Sequence, residues 1–276
     1  MFSRRMFIKG ACGSLLGTMA VGGYSYLLEP RWVEIKRVTI KINALPKQFD
    51  GITIAQMSDI HHSKYVHKEF VRKCVRALNA LNPDIIALTG DYVYCSDEFL
   101  CPVTEELAEL RAKEGVFAVL GNHDCRDSTS DALAKEGIRV LNNEHTPLYR
   151  KNDYIFIGGV DNLCTGHMDL KKTLLGMDDN PKVLLCHNPD AIEEIRKTNV
   201  DFVMAGHTHG GQVSLPIYGP PVVYSKFGNR YASGLFHEGN TIMYVNKGIG
   251  VSVFPVRFFA RPEITLFTLR NSVRIV

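Results

Sequence analysis

From Trp32 onward the chain alternates between short apolar runs and stretches with helical periodicity. Val33, Ile35, Val38, Ile40 and Ile42 fall at near-alternate positions, with one slip at Lys36-Arg37. That spacing predicts a half-buried strand, antiparallel or at a sheet edge. Beyond Pro46, the runs at 52–57, 85–89 and 116–120 predict strands, and the stretches at 68–81 and 103–114 predict helices. In the first of these helices Phe70, Val71, Cys74, Val75, Leu78 and Leu81 share one face. The second half predicts strands at 154–160, 183–186, 202–205, 241–245 and 263–269, with helices at 170–175 and 191–197. Continuous apolar strands separated by single helices imply parallel βαβ units covered on both faces. The segment 210–234 has no period, and a structureless stretch of that length in a compact domain is usually functional. No linker or repeat interrupts residues 31–276, which read as a single α/β domain.

The polar residues that end these strands stand out. Asp59 and His61 follow the first buried run, and Gly90-Asp91 the second. Gly121-Asn122-His123-Asp124 follows the third, His187 follows 183–186, and Gly206-His207-Thr208-His209 follows 202–205. The carboxyl ends of parallel strands form one rim, where ligands bind. Asp59/His61 and His207/His209 are i, i+2 pairs, and alternate side chains of an extended chain point the same way. A mixture of carboxylate, imidazole and amide suits a first-row divalent ion (Mn, Fe or Zn), not the all-oxygen shells of Ca²⁺ or Mg²⁺. Asp59, His61, Asp91, Asn122, His187, His207 and His209 are too many for one four-coordinate ion; two ions sharing a carboxylate would use them all.

Composition narrows the field. Among 276 residues the charge is +3, with no Arg/Lys run, so no nucleic-acid partner is expected. Seven Cys at irregular spacing exclude a disulfide scaffold or zinc ribbon, although Cys95 and Cys101 are close enough to pair. Cys186, at the end of an apolar run, reads as core. The N-terminus is different. Arg4-Arg5, preceded by Ser3 and followed by Phe7 and Lys9, resembles a twin-arginine export signal, and residues 10–28 carry no charge. Those 19 residues approach the roughly 20 that span a bilayer, so residues 1–30 fit either a cleaved signal or an uncleaved anchor. The membrane and the twin-arginine export machinery are therefore expected partners. The protein is expected outside the cytoplasmic membrane, with cytoplasmic-side association as the alternative.

Asp-x-His, Gly-Asp, Gly-Asn-His-Asp, a lone His and Gly-His-x-His, in that order between residues 51 and 211, resemble the calcineurin-like metallophosphoesterase superfamily. Ser58-Asp59-Ile60-His61-His62 and the run from Pro255 to Glu263 resemble a bacterial branch of it. That branch holds exported or membrane-associated phosphodiesterases and UDP-2,3-diacylglucosamine pyrophosphatases. The resemblance implies two stacked sheets flanked by helices. It implies one ion on Asp59, His61 and His209, a second on Asn122, His187 and His207, and Asp91 between them. A hydroxide shared by the ions would attack phosphorus in a diester or pyrophosphate, with His123 assisting the leaving group and Asp124 orienting His123. Tyr218, Tyr224, Lys226, Arg230, Tyr231, Arg257 and Arg261 would suit a phosphoester bearing an apolar group, such as a lipid-linked or UDP-diacylglucosamine-like substrate. The alternatives are a phosphomonoesterase, including phosphoprotein phosphatase action, and a non-catalytic scaffold.

Overall fold

The computed structural model describes residues 4–94 and 96–272. Helix α1 (Arg4–Gly23) leads through tight turns into β1 (Glu34–Ile42), β2 (Thr53–Met57), α2 (Lys68–Asn79), β3 (Ile85–Thr89), α3 (Leu100–Leu107), β4 (Gly115–Val119), α4 (Arg126–Lys135) and β5 (Arg139–Val140). The second half contains β6 (Glu144–Arg150), β7 (Asp153–Gly159), α5 (Leu170–Leu174), β8 (Lys182–Leu185), α6 (Ile192–Ile195), β9 (Phe202–Ala205), β10 (Gly234–Glu238), β11 (Thr241–Val245) and β12 (Glu263–Asn271). They form two six-stranded sheets, ordered β1-β12-β2-β3-β4-β5 and β10-β11-β9-β8-β7-β6.

The parity of β3 shows why its sequence is apolar without interruption. Ile85 and Ala87 enter the core between the sheets, where they join Phe117, Val183, Phe202 and Phe267. Ile86 and Leu88 point the other way, onto Val71, Cys74, Val75 and Leu78 of α2 and onto Val103 and Leu107 of α3. The second sheet has its own outer layer, with Leu184, Val203 and Met243 against Ile192 and Ile195 of α6. Each large apolar side chain so buried contributes about 1.5–3 kcal/mol. The result is helices, sheet, sheet, helices, and the expected parallel pairing holds for β2-β3-β4-β5 and β7-β8-β9.

β1 is the edge strand its alternation predicts, and it pairs parallel to β12, with Val38 opposite Phe267. The helix expected at 103–114 instead occupies Leu100–Leu107. Its continuation is captured by α2: the Asn79 side chain donates to the Glu109 carbonyl at 2.8 Å and accepts from the Arg111 N–H at 2.9 Å. Helix α4 escapes sequence periodicity because only Thr129 and Leu133 of it are buried. The aperiodic segment 210–234 is irregular apart from short turns at its ends.

Along α1 the residues from Cys12 to Gly22 are exposed, and no helix among the described residues is long and apolar enough to cross a membrane. The packed body begins before residue 31. Ser25 and Glu29 are buried; the Arg257 N–H donates to the Ser25 carbonyl at 2.9 Å and the Ala260 N–H to Glu29 Oε1 at 2.7 Å. Cys95 lies outside the described residues, and with it the suggested pairing to Cys101.

Candidate metal centre

The carboxyl ends of β2, β3 and β4 from one sheet meet those of β8 and β9 from the other, and the seven sequence-predicted donors all come to that junction. Asp59, His61, Asp91, His207 and His209 sit at positive φ, a backbone conformation that turns the chain sharply as each strand ends. The motif glycines are there because nothing larger fits. A Cβ on Gly121 would lie 2.1 Å from Asp91 Oδ1, and one on Gly206 would lie 2.1 Å from Ser58 Oγ.

Donor atoms converge on neighbouring points. His61 Nε2 is 3.0 Å from His209 Nε2, which is 3.4 Å from Asp59 Oδ1. His187 Nε2 is 3.2 Å from Asn122 Oδ1 and 3.2 Å from His207 Nδ1. One atom belongs to both groups: Asp91 Oδ2 lies 3.4 Å from His61 Nε2 and 3.3 Å from His187 Nε2. The sets Asp59–His61–His209 and Asp91–His187–His207 could each hold a metal ion, and so could His61–Asp91–His123. His123 was expected beside the centre as a proton donor; its ring also lies within ligating reach.

Electrostatics fit a pair of cations. Burial pushes His61 down to about 4 and His209 well below its usual value, so both rings are held neutral, the form in which an imidazole ligates a cation, with their Nε2 atoms 3.0 Å apart. The second nitrogen of His61 is buried without a hydrogen-bond partner in the described structure. Burial also pushes His207 down, to about 3, and Asp59 up, to about 6. At Asp91 and His187 burial is outweighed by their mutual attraction, which holds the Asp91 carboxyl far below its ordinary range and raises His187 to about 10. His187 Nδ1 is 2.7 Å from the Thr89 carbonyl; as the donor there, it leaves Nε2 for the centre.

Around these donors stands a layer that the sequence motifs did not reveal. Asp124, expected to orient His123, gives its carboxylate to three backbone N–H groups: Oδ2 accepts from Asp91 at 2.8 Å and Gly121 at 2.7 Å, and Oδ1 from Tyr92 at 2.8 Å. It thereby fixes the loop that carries Asp91. Tyr94 packs on His123 and His61, with ring centroids at 5.0 and 5.5 Å. Its position in Gly-Asp-Tyr-Val-Tyr, directly after a motif, was the available signal. Arg257 had none. Expected near substrate, it is fully buried, with its guanidinium 3.3 Å from His209 Nδ1 and donating to the carbonyls of Lys247, Gly250 and Ala260. Arg261 stacks on Trp32 at 4.1 Å, Arg230 pairs with Glu238, and Tyr231 is buried, so these three do not face the centre either. Tyr218, Tyr224 and Lys226 remain exposed. Cys186 is core as expected, its thiol pushed by burial up to about 12.

The Asp124 clamp makes a prediction. Asp124→Ala leaves three backbone donors without their acceptor, each worth about 1–3 kcal/mol if it stays unsatisfied. The variant should unfold at clearly lower denaturant and retain less metal on dialysis than the native protein. Native values for both would remove the clamp.

The fold and this convergence of donors define a metal-dependent phosphoesterase, and the chain belongs to the calcineurin-like phosphoesterase family, whose model matches residues 52–211. Similar proteins extend the likeness to nearly the whole chain. It is 36% identical to the uncharacterized metallophosphoesterase YkuE of Bacillus subtilis, over 98% of each chain. It is 31% identical to the phosphodiesterase YaeI of Escherichia coli, over 98% of this chain and all of that one. The UDP-2,3-diacylglucosamine pyrophosphatase LpxG of Chlamydia trachomatis is 28% identical over 87% of this chain and 90% of its own. The protein is therefore a hydrolase of a family whose fold normally binds two divalent metals.

Proposed function

We propose that the protein hydrolyses a phosphodiester or pyrophosphate bond at two divalent ions, with a lipid-linked or UDP-diacylglucosamine-like phosphoester as the substrate class. The observation that carries the reading is the single oxygen Asp91 Oδ2, placed between two histidine groups at 3.4 and 3.3 Å. Asp59, His61 and His209 would hold one ion, Asn122, His187 and His207 the other, and Asp91 both. Bound there, the ions supply positive charge to the phosphoryl oxygens and acidify a water at neutral pH. Asn122 adds a donor without adding negative charge, which keeps the site attractive to an anion. His123 is half-buried, its backbone N–H donates to Asp91 Oδ1 at 2.9 Å, and its ring serves to protonate the leaving oxygen. The mixed donor set favours Mn, Fe or Zn. The names of YaeI and LpxG support a diester or anhydride over a monoester.

A panel of mono-, di- and pyrophosphate esters, assayed with Mn²⁺, Fe²⁺ or Zn²⁺ added to metal-stripped protein, tests the reading. Turnover of diesters or pyrophosphates above monoesters is the expected result. Faster monoester turnover assigns a phosphatase instead, and no turnover with any metal assigns a scaffold.

We also propose export or anchoring through the N-terminal segment. Arg4 and Arg5 precede the uncharged stretch 10–28, exposed from Cys12 to Gly22, and Lys keeps the charge while changing what an export receptor reads. Replacing Arg4 and Arg5 by Lys should leave a folded, active enzyme inside the cell, whereas the native protein fractionates with the membrane or outside it. Unchanged fractionation of the double-Lys protein would refute the export reading.

A further inference from the structure

Against the turn that carries His209, the surface opens into a cavity of about 230 Å³. His209 itself forms part of one wall with Thr208, Gln212 and Ser252 nearby, and Pro221, Val222, Tyr224, Val253 and Phe254 are among the apolar and aromatic side chains that line it. No Asp, Glu, Lys or Arg lines it among the described residues. Its walls are held open by specific bonds. The Gln212 side chain pairs with the backbone of Ser252 like a strand, donating to its carbonyl at 2.7 Å and accepting its N–H at 2.5 Å. The Val253 N–H donates to the hydroxyl of Tyr94 at 3.2 Å, the same Tyr94 that packs on His123 and His61. Val253 adopts φ +59°, an unfavourable conformation for a β-branched residue, which the pairing to Gln212 and Tyr94 maintains.

At the mouth Val222, Tyr224 and Phe254 are 63%, 57% and 67% exposed, so the apolar lining is left facing water. A preformed, uncharged, apolar cavity that shares a wall with the metal centre suits a hydrocarbon group attached close to the phosphoryl group. A base or sugar would find few polar partners there.

We propose that this cavity is the subsite for the hydrocarbon segment of the substrate, gripped by Val222, Tyr224, Val253 and Phe254 while the phosphoryl group lies at the neighbouring donors. The assignment rests on the phosphoester reading above and deepens it by placing the chain. Binding of n-alkyl phosphates, from methyl to octyl, to the full-length metal-loaded protein tests it by calorimetry. Each added methylene should tighten Kd about fourfold, the conversion of 0.8 kcal/mol per buried CH₂, until the cavity is filled and the series levels off. The double variant Val222→Asn, Phe254→Ser changes only exposed side chains. It should bind methyl phosphate as the native protein does and lose most of the slope. A flat native series, or a native slope in the double variant, overturns the subsite. A flat series together with self-association that the double variant abolishes assigns the face to a second copy of this chain, and also overturns it. The two readings fail separately: a steep series on a protein that hydrolyses no ester keeps the subsite and removes the catalytic reading, whereas ester hydrolysis with a flat series does the reverse.

Discussion

Asp91→Ala is expected to lose both metal ions, and with them all measurable phosphoesterase activity. Asp91 Oδ2 lies within 3.4 Å of a histidine in each donor group, so its removal takes a charged ligand from both half-sites at once. It also leaves His187, whose raised proton affinity depends on that carboxylate, without its main partner. Removing one member of a buried charged pair is costly, about 3–5 kcal/mol, so folding is followed by circular dichroism alongside elemental analysis. The methyl side chain of alanine fits the space, and a folded variant holding well under one equivalent of metal is the expected outcome. Asn122→Ala provides the contrast: Asn122 Oδ1 lies 3.2 Å from His187 Nε2, and its loss should weaken one ion and leave the other. Two full equivalents in Asp91→Ala would refute the shared-oxygen arrangement.

The second large effect separates binding from chemistry. His123→Ala is expected to keep both metals and lose about 10²–10⁴ in turnover, the usual range for general acid catalysis. The loss should shrink for leaving groups such as nitrophenolate, which depart without a proton. This variant also decides between the two places the geometry allows for the ring, since His61, Asp91 and His123 lie close enough to hold an ion together. Loss of a metal from His123→Ala, with equal damage for good and poor leaving groups, would make His123 a ligand and leave the protonation step without its donor.

How much of this centre can be read without coordinates depends on where its information lies. Every donor sits directly after an apolar strand run, because a side chain at a parallel strand's carboxyl end is aimed at the common rim whatever the rest of the chain does. Asp59, Asp91, Asn122, His187 and His209 are therefore identifiable from local pattern alone. Gly121 and Gly206 mark the same loops, since the close approach that forbids a Cβ is a property of those turns. Arg257 shows the opposite case. Its residue type and apolar neighbours suggest a phosphate contact, but three backbone carbonyls and the His209 ring, from positions 3 to 48 residues away along the chain, enclose it. Asp124 is similar in kind: a carboxylate beside a histidine suggests orientation of the imidazole, and two of the three N–H groups it actually receives, those of Asp91 and Tyr92, belong to another strand's loop.

The sequence by itself determined the order of the chemistry-bearing strand ends, the α/β class and which residues the structure gathers at the candidate centre. Burial on both faces demands uninterrupted apolar runs, and a metal centre demands imidazole and carboxylate groups whose spacing survives in the chain. The tertiary structure alone decided which strand ends of the two sheets meet at the rim. It also decided that β1 runs parallel to β12, that Ser25 and Glu29 pack on the segment bearing Arg257, and that the aperiodic loop after His209 encloses an apolar cavity. Those features rest on pairings between distant segments, where each partner's pattern is compatible with many neighbours and only the packed whole selects one.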